Sequence, residues 1–237
     1  MIPVLVVQFA AVLFAATFGF GDALLAMPIL AAMLGPQVAA PVVAGASLVL
    51  AILVVARERG AAAWDEVRRL LLAAALGVPV GVVSLRFLPA AGILSVLGAL
   101  LVLYGAWGAL APAPRGTLAA GWGWGFGLVA GFLGGATATS GPPIVAYSAA
   151  RGWPPTRARA SMQAFFLLAD GLVIGGQAAA GLWTVEVVRL VGYAVPGVIV
   201  AAVLGTSLNR RIPAVAFRRV IHGGLALLGI GLLASLA

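Results

Sequence analysis

The chain has 237 residues, of which 63% are hydrophobic and 8% are charged, and its mean hydropathy is +1.17. Apolar runs long enough to cross a bilayer recur along it, which indicates a polytopic membrane protein with no room for a soluble domain. The absence of cysteine excludes disulfides and thiolate metal sites, and the single histidine excludes a multi-histidine metal site, so no cofactor is expected. The net charge of +8 comes from arginines in short clusters between apolar runs, which argues against a nucleic-acid partner.

Breaks between apolar runs divide the chain into two repeats, residues 1–112 and 117–237, joined near Pro112, Pro114 and Arg115. In the first repeat we predict a broken hairpin over 3–34, with a short helix at 22–34, and spans at 39–56, 67–86 and 91–110. In the second we predict a broken hairpin over 118–150, with pieces at 118–134 and 140–150, and spans at 160–180, 189–209 and 214–236. The opening segment lacks basic residues at its start, so we expect it to be retained rather than cleaved as a signal peptide.

Two sequence matches indicate that the repeats are copies of one unit. The stretch GFGDALLAMP, which begins at Gly19, aligns with GGATATSGPP, which begins at Gly134. Further along, GVVSLRFLP from Gly81 aligns without a gap with GTSLNRRIP from Gly205. The predicted fold class is therefore all-α: a polytopic membrane protein of two repeats, each with a broken-helix hairpin and three transmembrane helices.

The placement of the arginines indicates how the broken segments lie in the membrane. If both segments turn back, one side of the membrane collects every arginine except Arg86 and Arg189. If both segments cross, the arginines divide almost evenly and give no orientation. The uneven division favours re-entrant hairpins and inverted repeats, in the inner membrane of a bacterium, with both termini outside the cytoplasm.

The two broken segments are the strongest pointer to a function. A bilayer offers the backbone no water, so a non-helical segment is tolerated there only where protein covers it or where it lines a cavity. Two breaks in corresponding positions of two repeats are typical of the binding site of a transporter. We therefore expect the two helix starts to meet near the membrane midplane.

The second break carries groups that suit a small oxyanion. A helix that starts inside the membrane points free N–H groups and the positive end of its dipole at the space in front of it. Thr137, Thr139 and Ser140 add hydroxyl donors, and Gly141 lets a ligand approach the backbone. The candidate substrate-binding residues are Gly19, Phe20, Gly21, Asp22, Gly134, Gly135, Thr137, Thr139, Ser140, Gly141 and Gln163.

Two carboxylates are predicted at membrane depth, where ionisable side chains are costly and usually functional. Asp22 either carries a proton coupled to anion movement, or caps the short helix, or lies at the wet end of the hairpin. Asp170 shares a helix face with Gln163 and Gln177 and is the second proton-coupling candidate. The alternative for this polar stripe is a set of hydrogen bonds that hold helices together. Ser47, in the equivalent span of the first repeat, is a weaker candidate.

These glycine and proline positions resemble those of the TauE/SafE family of sulfite exporters, whose members carry paired glycine-rich, proline-ended motifs in two homologous halves. The matching positions are Gly19, Gly21 and Pro28, then Gly131, Gly134, Gly135 and Pro143, and near the final spans Gly81, Pro89, Pro196, Gly205 and Pro213. The resemblance implies efflux of sulfite or small organosulfonates. Two positions depart from the family pattern, Ala136 in place of a third glycine and Asp22 in place of a small residue.

The expected function is secondary transport of a small anion, sulfite or an organosulfonate, out of the cytoplasm. The chain has no P-loop motif that would supply energy by nucleotide hydrolysis. The inside-negative membrane potential favours the exit of anions, so uniport and proton-coupled transport both stay open. The alternatives are an anion channel and an intramembrane serine hydrolase with Ser140 as nucleophile and His222 as base. The expected partners are the anion and the lipid bilayer, and a homodimer is left open.

Overall fold

The structure, a computed structural model, describes residues 1–57, 62–110, 118–209 and 214–236. In these ranges the chain forms ten α-helices and one short 3₁₀ turn, and no strand. In chain order they are α1 (Ile2–Phe18), α2 (Asp22–Leu34), α3 (Pro36–Arg57), α4 (Trp64–Phe87), α5 (Ala90–Leu110), the 3₁₀ turn (Ala120–Trp122), α6 (Gly123–Thr137), α7 (Gly141–Ala150), α8 (Pro155–Ala179), α9 (Val185–Asn209) and α10 (Ala214–Ala234).

The all-helical, polytopic fold class predicted from the sequence is confirmed. Within the described residues, α3, α4, α5, α8 and α9 are each long and apolar enough to cross a membrane. Several of these helices begin before the apolar run that predicted them, α3 at Pro36 and α8 at Pro155. Proline suits the first turn of a helix because its φ is already helical and its missing N–H would have no partner there. The predicted linker at Pro112, Pro114 and Arg115 lies outside the described residues.

The first break lies where the sequence predicted it. Helix α1 ends at Gly19, which has a φ of 95°, and Gly21, with a φ of 105°, precedes α2. Glycine adopts this left-handed backbone conformation without strain, whereas residues with a side chain are strained in it. The short helix α2 then runs over Asp22–Leu34.

The second break differs from the prediction, which ended the helix at residue 134. Helix α6 continues through Gly134 and Gly135 to Thr137, and the left-handed residue that ends it is Ala138, with a φ of 54°. Both glycines are therefore helical. Their lack of a side chain serves contact with neighbouring residues, where a side chain would not fit. In its structural role, Ala138 rather than Gly134 is thus the counterpart of Gly19.

Helices α4 and α6 pack backbone against backbone through glycines. A Cβ atom added at Gly131 would lie 2.6 Å from the Cα atom of Ala74, and one added at Gly135 would lie 2.8 Å from the amide nitrogen of Val82. On the facing helix, a Cβ at Gly81 would lie 2.8 Å from the amide nitrogen of Ala136. Small residues on both helices allow this close approach, which favours association in lipid.

Helices α1 and α9 repeat this arrangement in the other half of the bundle. A Cβ atom at Gly205 of α9 would lie 2.7 Å from the carbonyl oxygen of Leu13 and 2.6 Å from the Cβ of Ala16 on α1. The aligned residues Gly81 and Gly205 therefore have the same role, each bringing a long helix onto the first helix of the other half of the chain. Helices α3 and α8 pack on each other in the middle, and α5 packs on α10.

A buried ionic cluster holds the end of α7 against the beginning of α4. The Arg151 guanidinium donates to both carboxylate oxygens of Glu66, at 2.7 and 3.0 Å, and the Tyr147 hydroxyl donates to Oε2 of Glu66 at 2.6 Å. Arg151 also donates to the carbonyl of Leu118 at 2.7 Å. A guanidinium that binds both oxygens of a carboxylate is held in one orientation.

The same region shows that α6 and α7 form a hairpin. The amide of Leu118, just before α6, donates to the carbonyl of Ala150 at the end of α7, at 3.1 Å. Arg69 of α4 donates to the carbonyl of Ala120 at 2.9 Å. The chain therefore returns to where it entered, and the beginning of α7 lies inside the bundle. Arg68, Arg69, Arg151 and Arg157 are consequently gathered at one end of the bundle.

We expect Gly131→Ala to lower the thermal unfolding midpoint of the detergent-solubilised protein by several degrees. The added Cβ would overlap the backbone of Ala74, and forced overpacking typically costs about 1 to 3 kcal/mol. Gly125→Ala on the same helix is the control, because a Cβ atom there meets nothing within 4 Å. Equal midpoints for the two variants would show that the close contact of α4 with α6 does not limit stability.

We expect Glu66→Gln to destabilise the fold by roughly 2 kcal/mol, because it leaves the guanidinium of Arg151 without its counter-charge. The penalty is moderate because the side chain of Arg151 is 24% exposed, against 11% for Glu66. The control is Asp65→Asn, an exposed carboxylate next in the chain. Thermal unfolding in detergent measures both, and a similar loss in the two variants would contradict the proposed anchoring.

Candidate functional site

A small cavity lies where the two breaks meet. Its volume is about 30 Å³, which is room for about two water molecules or a ligand of a few heavy atoms. Both breaks, α3 and α8 contribute to its wall. The lining residues are Phe20, Gly21, Asp22, Ala23, Leu24, Ser47, Leu50, Ala51, Ala138, Thr139, Ser140, Gly141, Gln163, Phe166 and Asp170.

The first break presents a carboxylate to this cavity. Asp22 is the first residue of α2, and the N-cap position belongs to Gly21, which makes no side-chain capping bond. The N-cap position expected for Asp22 thus belongs to Gly21. The Asp22 carboxylate accepts a hydrogen bond from the hydroxyl of Ser47 on α3. Ser47, a weak candidate from the sequence, thus belongs to the cavity and orients Asp22.

The second break presents hydroxyls, and their hydrogen bonds distinguish them. The Thr137 hydroxyl donates to the carbonyl of Leu133 at 2.9 Å, and 2.5 Å separates the hydroxyl oxygens of Thr137 and Thr139. Since Thr137 has one proton to give, Thr139 must donate to Thr137. The Ser140 hydroxyl has no hydrogen-bond partner in the described part of the chain. Ser140 is consequently the hydroxyl free to bind a ligand.

The start of α7 offers fewer backbone donors than the sequence argument assumed. Gly141 is its first residue, and Pro142 and Pro143 follow without an N–H group. The positive end of the helix dipole remains, with the N–H of Gly141 as the donor nearest to it. A Cβ atom at Gly141 would lie 3.7 Å from Cδ2 of Phe20, so the first break touches the start of α7.

Helix α8 contributes the remaining polar groups. Gln163 is 3% exposed, and its side-chain amide donates to the carbonyl of Gly19 at 2.8 Å. Gln163 thus provides a hydrogen-bond partner for a backbone carbonyl at the break. Asp170 is 7% exposed, and its carboxylate has no hydrogen-bond partner among the described residues. Asp22 and Asp170 therefore face one small space from two sides. Gln177, also buried, lies away from it and accepts a hydrogen bond from Trp183 at 3.4 Å.

Four of the candidates lie outside the cavity wall, namely Gly19, Gly134, Gly135 and Thr137. Gly135 packs on α4, whereas Gly134 makes room for Ser140, whose Cβ would lie 3.4 Å from a Cβ added at Gly134. These residues support the site without touching a ligand in it.

The sequence argument missed six apolar residues of the wall: Ala23, Leu24, Leu50, Ala51, Ala138 and Phe166. A signal was available, because Phe166 follows Gln163 by three positions and precedes Asp170 by four, and such spacing puts all three on one helix face. Similarly, Leu50 and Ala51 follow Ser47 by three and four positions. Their apolar character did not distinguish them as site residues, since most apolar residues in such a chain face lipid or the core.

The serine-hydrolase alternative pairs Ser140 with His222. The side chain of His222 lies outside the described part of the chain. Within the described residues, no group of three histidine, aspartate or glutamate side chains is placed to hold a metal ion. The cavity combines a hydroxyl, an amide and a helix start with two carboxylates, groups that bind anions and exchange protons.

Comparison with known proteins agrees with the architecture. The chain matches the family model described as sulfite exporter TauE/SafE over residues 4–232. Searches of curated proteins and of solved structures returned no match. The matched region runs from α1 to α10 and includes both breaks and the whole cavity wall. The chain therefore belongs to the sulfite exporter TauE/SafE family, a family of membrane transporters.

Proposed function

We propose that this protein is a secondary transporter that carries sulfite or a small organosulfonate out of the cytoplasm through the cavity between the two breaks. The observation that carries the proposal is the cavity wall itself, to which both breaks contribute. Transporters commonly bind their substrates where a helix is interrupted at membrane depth. A volume of about 30 Å³ suits an anion of a few heavy atoms better than a larger metabolite.

The anion would lie against the start of α7. Its oxygens would accept hydrogen bonds from the Ser140 hydroxyl and the N–H of Gly141, near the positive end of the helix dipole. The Gln163 amide lies on the same wall and already binds the first break. An anion between these groups would therefore contact both hairpins at once, which would couple its binding to their relative position.

The two carboxylates make proton coupling part of the proposal. A carboxylate and an anion about 4 Å apart repel by about 4 kcal/mol at an effective dielectric constant of about 20, roughly a thousand-fold in affinity. Asp22 and Asp170 both line the cavity, so the anion binds when these carboxylates are protonated. Asp170 is the better proton carrier of the two, since Ser47 already holds Asp22.

The proposed orientation puts the arginine-rich end of the bundle in the cytoplasm. Arg68, Arg69, Arg151 and Arg157 lie at this end, and basic residues are retained on the cytoplasmic side of bacterial inner membranes. The repeats would then be inverted, with both termini outside the cytoplasm. In this orientation α6 and α7 form the hairpin that is open to the cytoplasm.

We expect purified protein in liposomes to take up radiolabelled sulfite with a saturable rate. Ser140→Ala removes a hydrogen bond to a charged ligand, worth about 1.5 to 3 kcal/mol, and should raise the KM about ten-fold or more. Ser148→Ala is the control, because this buried hydroxyl of α7 donates to its own helix at the carbonyl of Val145, at 2.8 Å.

Three outcomes of that assay bear on the proposal. A flux that rises linearly with concentration would favour the anion channel. Absence of flux for sulfite, sulfonates, sulfate and small carboxylates alike would refute transport of small anions. An unchanged KM in Ser140→Ala would move the binding site away from the start of α7.

We expect an acid exterior and an alkaline interior to drive sulfite into these vesicles, because protons move with the anion. In the cell the inside-negative potential and a high internal sulfite concentration act against this proton gradient and drive the anion out. Asp170→Asn should abolish this gradient-driven component and retain the exchange of internal for external sulfite, since asparagine stays neutral. Glu186→Gln, which changes an exposed carboxylate at the start of α9, is the control. A gradient response in Asp170→Asn equal to that of the wild type would rule out Asp170 as the proton carrier.

A further inference from the structure

Arg159 lies on the path between the arginine-rich end of the bundle and the cavity. It precedes Gln163 by four residues on α8, so the two side chains share a helix face, one turn apart. The beginning of α8 is at the arginine-rich end, where the hydroxyl of Ser161 accepts a hydrogen bond from the amide of Ala63, at 2.9 Å. Arg159 is therefore one turn outside the cavity, on the arginine-rich side.

The Arg159 side chain is partly buried against the first break. Its Nη2 donates to the carbonyl of Ala16 near the end of α1, at 3.5 Å, and its Cγ would lie 4.0 Å from a Cβ added at Gly19. The carbonyl end of a helix attracts a cation, which explains why the guanidinium rests there. The hydrogen bond is at the long limit, and a guanidinium has five donors in a planar fork that matches an oxyanion.

The charges of the cavity show why a cation is needed beside it. Among the described residues, its wall contains two carboxylates, Asp22 and Asp170, and no arginine. Before these carboxylates are protonated, they repel an approaching anion at long range unless a nearby positive charge offsets them. Arg159, one turn from Gln163, is a partly buried cation on the arginine-rich side that can do so.

We propose that Arg159 is the residue that captures the anion on its way to the cavity, binding it through the guanidinium before passing it to Gln163 and Ser140. The inference rests on the proposed transport of a small anion and adds a specificity-determining residue to it. The anion competes with the Ala16 carbonyl for the Nη2 donor of Arg159.

The test compares Arg159→Ala with Arg157→Ala, a matched loss of charge two residues away. Arg157 is exposed and stacks on the ring of Trp153, with its guanidinium carbon 5.9 Å from the ring centroid. In sulfite exchange by liposomes, we expect Arg159→Ala to raise the KM about ten-fold with kcat within about two-fold of the wild type. Arg157→Ala should change the KM less than two-fold, and Arg159→Lys should recover part of the loss.

A second variant and a second measurement separate capture from a structural role. Arg159→Gln keeps a donor for Ala16 and loses the charge, so we expect it to raise the KM as Arg159→Ala does. Added sulfite should raise the unfolding midpoint of the wild type and of Arg157→Ala, because a ligand that binds the folded state stabilises it. In Arg159→Ala and Arg159→Gln the same shift should need about ten times as much sulfite.

Each contrary result overturns the inference in a recognisable way. A KM in Arg159→Ala equal to that of Arg157→Ala shows that Arg159 does not capture the anion. A lower kcat and a lower unfolding midpoint with an unchanged KM assign it to the stability of α1. A wild-type protein that moves no anion at all refutes the proposed function itself, and this is seen before any variant is made.

Discussion

The architecture depends on one constraint, that backbone without helical hydrogen bonds must be covered by protein when it lies in hydrocarbon. Both breaks satisfy it. The carbonyl of Gly19 accepts a hydrogen bond from Gln163, and at the second break the amide of Ala138 donates to the carbonyl of Gly134 at 2.9 Å. Helices α3 and α8 lie over both breaks, so the space that the breaks leave is enclosed by protein.

Close glycine contacts make this cover possible. Helix α6 approaches α4 through Gly131 and Gly135, and α1 approaches α9 through Gly205. Each contact joins the first helix of one half of the chain to a long span of the other half, so neither half encloses its own break alone. Lipid gives little hydrophobic drive for helix association, and packing of small residues takes its place. Both halves of the chain therefore form the site.

The two hairpins are alike in architecture and unlike in chemistry. The first carries the carboxylate of Asp22, held by Ser47 of α3, and the second carries the free hydroxyl of Ser140. The second is also tied at its outer end, where Arg151 binds Glu66 of α4. Two hairpins of similar architecture can thus differ in chemistry, since a few side chains at the breaks decide it.

Much of this protein follows from the sequence because the bilayer restricts the choices. Composition alone predicts a helical bundle, and the glycine-rich stretches predict where two helices break, with α2 beginning at Asp22 as expected.

Tertiary contacts decided the rest. The same glycines that predicted a break at residue 134 are helical, since their function is contact with neighbouring residues, and the chain turns instead at Ala138. Only the packed structure shows that Thr139 gives its proton to Thr137, that Asp22 binds Ser47, and that Asp170 faces the same cavity. Hydrogen-bond partners far apart in the chain cannot be read from spacing, because they depend on how the helices pack.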